Sequence, residues 1–244
     1  EDINNHKVLL VCKALDTLCD VYVNEMLVGK GENAHLKYEF DIKDVAKAGE
    51  NTLKITFFAP TTYAENRQKE KPIPKNCNGT DGAAYMRKPH CHFGWDWGPH
   101  LPLSGITDDI WVECFDNRLT DVEIKQIHEN GKVTVKINPV VDGEGDVSAK
   151  IIYPDGTETA IENNEIVIEN PELWWTKELN PVEKQPLYTV VATLGDTEIT
   201  KKIGLRTIRL DRSKDKYGHN FCFYLNGVPI FGKGADWILP DSLM

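Results

Sequence analysis

His92-Phe93-Gly94-Trp95-Asp96-Trp97-Gly98-Pro99 gathers two tryptophans, a carboxylate, two glycines and a proline into eight consecutive residues. Indole faces stack on the apolar face of a sugar ring, and a carboxylate accepts hydrogen bonds from two hydroxyls at once. Gly94, Gly98 and Pro99 favour a turn or loop over the interior of a regular element, and loops on rigid scaffolds often carry function. The same residues also suit a packed turn, with both tryptophans in the core and Asp96 as a cap. Local chemistry alone leaves both readings open.

Other reactive side chains carry weaker signals. His90-Cys91-His92 has the right atoms for a metal, but adjacent residues rarely converge on one ion. The six cysteines, Cys12, Cys19, Cys77, Cys91, Cys114 and Cys222, show neither CxxC pairing nor zinc-ligand spacing. No metal and no cofactor is expected. Asn78-Gly79-Thr80 is a glycosylation triplet, with meaning only for a protein secreted from a eukaryotic cell. A formal net charge of −10 without a basic cluster argues against a nucleic-acid partner and favours a neutral or weakly charged ligand. No apolar run reaches the length of a membrane span, so no membrane partner is expected. The first residues carry no signal-peptide pattern, which leaves the compartment open.

The 244 residues suit two domains, and a hydrophobic content of 41% provides for real cores. Apolar periodicity is close to two almost throughout. Strands are predicted at 7–13, 19–23, 27–29, 36–42, 51–58 and 110–115, with at most one helical turn at 44–48. Between Pro60 and Pro89 the pattern lapses into a long loop rich in Pro, Asn, Gly and Lys; a loop of that length is functional or disordered. Further strands fall at 121–128 and 132–140 around the hairpin signal Asn130-Gly131, then at 147–153, 165–169, 187–194 and 198–203. This second set reads as an immunoglobulin-type sandwich, without the Cys…Trp…Cys spacing of antibody domains. A last hairpin, 221–231 around Asn226-Gly227, is read as lacking strand partners.

Four segments extend this reading. Ala14–Gly29 and Phe40–Ile55 resemble the sugar-binding first domain of glycoside hydrolase family 2. Arg87–Pro99, RKPHCHFGWDWGP, resembles the signature of that family's β-mannosidase branch. Pro171–Val190 and Ile203–Asp211 are similar to its middle immunoglobulin-like domain, and Phe221–Leu243 is similar to the junction where its catalytic barrel begins. The expectation is an all-β fold. A jelly-roll, galactose-binding-like β-sandwich would occupy 1–116, an immunoglobulin-like β-sandwich 117–207, and the first hairpin or strand of a (β/α)8 barrel 208–244.

The resemblance implies a retaining exo-glycosidase acting on terminal β-mannose. Such enzymes use two carboxylates about 5 Å apart. In this family both are glutamates on later barrel strands, so no catalytic residue is expected among these residues. What the resemblance assigns here is substrate contact. Asp96 would bind hydroxyls of the terminal mannose and Trp95 would wall the subsite. Arg87 would orient that carboxylate or touch the sugar. Asp236 and Trp237 would sit at the end of the first barrel strand, where such active sites lie. Trp97 is expected to pack the loop on its own sandwich.

Three departures accompany the resemblance. Thr107-Asp108 stands where the family has Trp-Arg or Trp-Lys. Thr176, with an insert running to Gln185, replaces a proline after Leu173-Trp174-Trp175. Fewer strands precede Lys7 than usual, which predicts either a homodimer through an exposed sheet edge or a rearranged first strand. Another family 2 activity, β-galactosidase or β-glucuronidase, is countered by the Trp-Asp-Trp signature. A free-standing carbohydrate-binding module is countered by Gly232–Trp237, for which a module has no use.

Overall fold

A computed structural model describes residues 3–74, 80–179 and 185–238; the glycosylation triplet's Asn78 and Gly79, and Cys77, lie outside them. Strands make up 46% and helix 8%, an all-β chain. It divides between Asp116 and Asn117 into two compact units, the second running to Asp236.

The first unit is a sandwich of two antiparallel sheets. Strand β1 (Lys7–Cys12) is an apolar run whose residues after Lys7 are all buried, as befits the middle of a sheet. It lies between β5 (Tyr38–Asp41) and β8 (Ile110–Phe115), with Leu10 opposite Phe40 on one side and Val112 on the other. In the other sheet β3 (Cys19–Val23) alternates buried and half-buried residues between β4 (Met26–Gly31) and β6 (Leu53–Phe57). Val8, Leu10, Cys12, Leu15, Val21, Val23, Phe40 and Ile42 form the core between them. A short pair, β2 (Leu15–Asp16) with β7 (Gly105–Ile106), sets Asp16 opposite Gly105. Beside it the unusual Asp108 pairs with Lys13 at 3.0 Å, so the reversed charge has a local partner.

The stretch expected to be one long loop contains a helix, α1 (Pro60–Glu70). Only Pro60 and Ala64 are buried on it, so no apolar stripe marks it in the sequence. Its signals are Pro at the first turn and the helix-forming run Ala64-Glu65-Asn66-Arg67-Gln68-Lys69-Glu70. The helix packs tightly on Gly82, where a Cβ would stand 2.1 Å from the Ala64 carbonyl oxygen.

The second unit pairs a three-stranded with a four-stranded antiparallel sheet, the strand count of an immunoglobulin constant-type sandwich. The first contains β9 (Arg118–Glu129), β10 (Lys132–Asp142) and β13 (Glu165–Ile168). The second contains β11 (Ser148–Ile152), β12 (Glu158–Ala160), β14 (Tyr188–Leu194) and β15 (Thr197–Ile203). Val122, Val133, Val135, Ile151, Tyr188, Val190 and Leu205 fill the interior. Asn130 and Gly131 both take positive φ (51° and 77°), the two-residue turn expected of Asn-Gly. The last hairpin, β17 (Cys222–Leu225) and β18 (Val228–Ile230), does have a partner. β16 (Ile208–Asp211) pairs with β17, making a three-stranded sheet. No helix of the described residues is long and apolar enough to cross a membrane.

Candidate functional site

The Trp-Asp-Trp segment forms a small hairpin with a buried incoming limb and an exposed tip. Gly94, at φ 98°, supplies the left-handed bend that starts it. Phe93 and His100 bridge as antiparallel partners. The Leu101 N–H donates to the His92 carbonyl at 2.9 Å, and the Trp95 N–H donates to the Gly98 carbonyl at 3.0 Å. Asp96 and Trp97 therefore occupy the two tip positions. Trp95 is 41% exposed and Trp97 38%. Asp96 is exposed, and its carboxylate accepts no hydrogen bond and makes no ion pair among the described residues.

The packed-turn alternative does not match this geometry: neither tryptophan is in the core, and Asp96 caps nothing among the described residues. Trp97, expected to pack on the sandwich, is as open as Trp95. The exposed part of an indole, beside a carboxylate unpaired among the described residues, suits a ligand with an apolar face and hydroxyl donors.

Below the tip the incoming limb is buried from His92 to Gly94, while His100 and Leu101 on the returning limb are exposed. Phe93 is inaccessible and packs with Ala83, Met86 and Leu18. The segment that delivers Met86 is held by α1, with the Arg67 guanidinium 5.3 Å above the Tyr85 ring and the Tyr85 hydroxyl donating to the Lys71 carbonyl. The Ala34 N–H donates to the Arg87 carbonyl at 2.8 Å and fixes the next residue.

Lys88 then turns inward. Its ammonium donates to Asp16 Oδ2 at 2.8 Å and to the Leu103 carbonyl at 2.6 Å, and the Lys88 and Asp16 side chains are 0% and 1% exposed. The Thr17 hydroxyl donates to the other oxygen of Asp16. His92 Nδ1 lies 3.8 Å from Asp16 Oδ2, and neither ring nitrogen has a hydrogen-bond partner among the described residues. Burial, and next the charge of Lys88, hold His92 below the ordinary histidine range of about 6.5, against the smaller pull of Asp16.

Arg87 is exposed and its side chain pairs with nothing among the described residues, Asp96 included. Asp236 and Trp237 lie in a stretch without strand or helix, Trp237 being 83% exposed. Of the His-Cys-His triplet, His92 is buried, Cys91 half-buried and His90 exposed. No group of three or more His, Cys, Asp or Glu among the described residues is arranged to hold a metal ion. Cavities among the described residues lie away from these residues, one of about 380 Å³ lined by Gln126, Lys202 and Arg206. One of about 240 Å³ is lined by His128, Leu173 and Asn226, and one of about 170 Å³ by Cys19, Lys30 and Tyr63.

Asp16 and Lys88 were not among the residues expected to matter, and His92 was considered only as a weak metal ligand. A lysine between Arg87 and Pro89 reads as solvated, and nothing in the sequence links it to an aspartate 72 positions earlier.

Comparison with known proteins places this geometry. Residues 1–108 match the glycosyl hydrolase 2 galactose-binding domain-like family, and residues 116–206 match glycosyl hydrolases family 2. The chain is 30% identical to β-mannosidase B of Emericella nidulans, a match covering 97% of this chain and 30% of that protein. It is 29% identical to the β-mannosidase of Bos taurus over 97% of the chain and 30% of the relative. It therefore spans about 30% of the length of these relatives. Among solved structures, a β-D-mannosidase from Dictyoglomus thermophilum superposes with a TM-score of 0.84 at 27% identity, over 97% of this chain and 31% of that one. A β-glucuronidase from Ruminococcus gnavus, at a TM-score of 0.59 and 23% identity over 96% of this chain and 38% of that one, shares the fold.

Proposed function

The chain belongs to glycoside hydrolase family 2, and from that premise we propose that it is the N-terminal, substrate-contacting part of a retaining exo-β-mannosidase. The protein would hydrolyse terminal β-mannosides. The catalytic carboxylates lie outside these residues, and the Trp95-Asp96 tip contributes recognition. Asp96 accepts hydrogen bonds from the mannose hydroxyls and Trp95 offers a stacking face. Arg87, Asp236 and Trp237 are further contacts in this reading.

The observation that carries it is the Asp96 carboxylate, unpaired among the described residues, between two half-exposed tryptophans above the buried Phe93. A carboxylate so placed discriminates strongly, because a sugar lacking the matching hydroxyl leaves it desolvated and unpaired. The tip supplies one wall only, so these residues alone should bind mannose weakly. Self-pairing through the outer edge of β8, which carries no strand among the described residues, is the expected oligomeric contact. Sedimentation of the 244-residue chain as a monomer at tens of micromolar would discard it.

The function is tested by assaying the full-length protein that carries these residues against aryl β-mannoside, β-galactoside and β-glucuronide. The reading expects turnover of the mannoside at least about 100-fold above the others, the scale at which a site built to bind particular hydroxyls discriminates. Preference for the glucuronide or galactoside would move it to another branch of the family. Sugar binding without hydrolysis of any of the three would favour a carbohydrate-binding module.

A further inference from the structure

We propose that the buried Lys88–Asp16 pair, with His92 packed against it, is a positioning clamp that sets where Trp95 and Asp96 meet the sugar. The proposal rests on the reading that the hairpin tip contacts substrate. It adds residues that touch no sugar and act through the hairpin.

The Lys88 ammonium binds three pieces of chain at one point. It sits on the incoming limb, donates to Asp16 on β2, and donates to the Leu103 carbonyl on the returning limb 15 positions later. The base of the hairpin is thus closed by a side chain rather than by a backbone ladder. Above it the chain is tied in succession at His92 with Leu101, Phe93 with His100, and Trp95 with Gly98. These ties form one column from the clamp to the tip, alongside the packing of Phe93 on Ala83 and Met86 and the contact of His100 with Thr80, so a shift at Lys88 passes up the hairpin.

Apolar side chains would fill the same space without desolvating two charges. Replacing such pairs by apolar residues is often neutral or stabilising, so stability alone is a poor explanation for this one. An ammonium with two acceptors at 2.8 and 2.6 Å has one favourable placement, whereas packed methyl groups slide. The His92 ring has no hydrogen bond to hold it among the described residues, and the charged groups it faces are Lys88 and Asp16. The His92 carbonyl is the acceptor for Leu101, which joins the clamp to the first rung.

The test replaces the pair by apolar residues, Lys88→Met with Asp16→Leu, in the full-length protein. The clamp predicts a folded protein whose kcat/KM on an aryl β-mannoside falls roughly 10- to 100-fold, the range for a small misplacement of a substrate-contacting group. It also predicts that Asp96→Ala costs much less in that background than in the wild type, because the tip is already misplaced. Additive losses would overturn the proposal.

A second readout needs no activity. In the 244-residue chain labelled with 5-fluorotryptophan, the Trp95 and Trp97 resonances, assigned by Trp→Phe replacement, should shift or broaden in the double variant while Trp174 and Trp175 hold. Unchanged tip resonances would also overturn it. If Asp96→Ala alone left kinetics untouched, the substrate-contact reading would fail while the resonances still judged the clamp. Asp16→Asn, which keeps the shape and one hydrogen bond, serves if the double variant does not fold, with a smaller change in the same direction.

Discussion

Lys88→Met removes one ion of a pair that has no access to water and leaves the other behind. Asp16 would keep only the Thr17 hydroxyl, because His92 Nδ1 at 3.8 Å is beyond hydrogen-bond reach. Leu103 would lose the donor to its carbonyl as well. Breaking a buried ion pair from one side costs about 3–5 kcal/mol, and the poverty of substitute partners puts this case near 4 kcal/mol. For a unit of this size that is a fall in Tm of roughly 15 °C. The double change Lys88→Met with Asp16→Leu removes both charges and should stay within about 1 kcal/mol of wild type. Lys132–Glu169, at 2.6 Å but half in water, is the control, with Lys132→Met expected to cost under about 1 kcal/mol. Urea denaturation followed by circular dichroism supplies the totals, and amide exchange in β1 and β3 isolates the first unit. A cost below about 1 kcal/mol for Lys88→Met, or a double variant as unstable as the single, would refute the reasoning.

Three further outcomes follow from the same geometry. His92 is held below its ordinary value, so the unfolded chain takes up a proton near pH 6.5 that the folded unit resists. First-unit stability should therefore be full above that pH and fall as the pH drops below it, a slope that His92→Leu flattens in urea titrations. Gly82→Ala meets the Ala64 carbonyl at 2.1 Å with φ at +80°, whereas Gly131→Ala at φ +77° meets nothing within 4 Å. Melting curves should show the first losing several kcal/mol and the second about 1 kcal/mol of turn strain. Burial, with Cys19 nearby, pushes the Cys12 thiol up to about 11 and burial also raises Cys19. At pH 8 only about a thousandth of Cys12 is thiolate, so iodoacetamide and mass spectrometry should find half-buried Cys91 and Cys222 modified long before either.

Most of the sheet architecture was readable from the sequence because half-buried strands write their two-residue period directly. β3 falls on the predicted residues, and Asn130-Gly131 and Asn226-Gly227 turn where their positive φ requires. The helix α1 was not readable from periodicity, since two buried side chains make no stripe. The partner of the last hairpin was missed because β16 is only four residues long, too short for its Ile-Arg-Leu-Asp alternation to stand out, and is largely exposed. At the candidate site, the residue types named Trp95 and Asp96, while the base that holds them depends on a contact 72 residues apart, which no local pattern encodes. Trp97, at a tip position, is partly covered and partly open, a mixture that residue type alone does not encode.

The central claim is that Asp96 recognises the sugar, and Asp96→Ala in the full-length protein tests it most directly. Steady-state kinetics on an aryl β-mannoside should show kcat/KM lowered by roughly 30- to 1000-fold, the equivalent of about 2–4 kcal/mol for a charged hydrogen-bonding group in a dry site. Melting of the 244-residue chain with the same change should be unaltered, because the carboxylate has no partner to lose among the described residues. Wild-type kcat/KM in that variant would contradict the account.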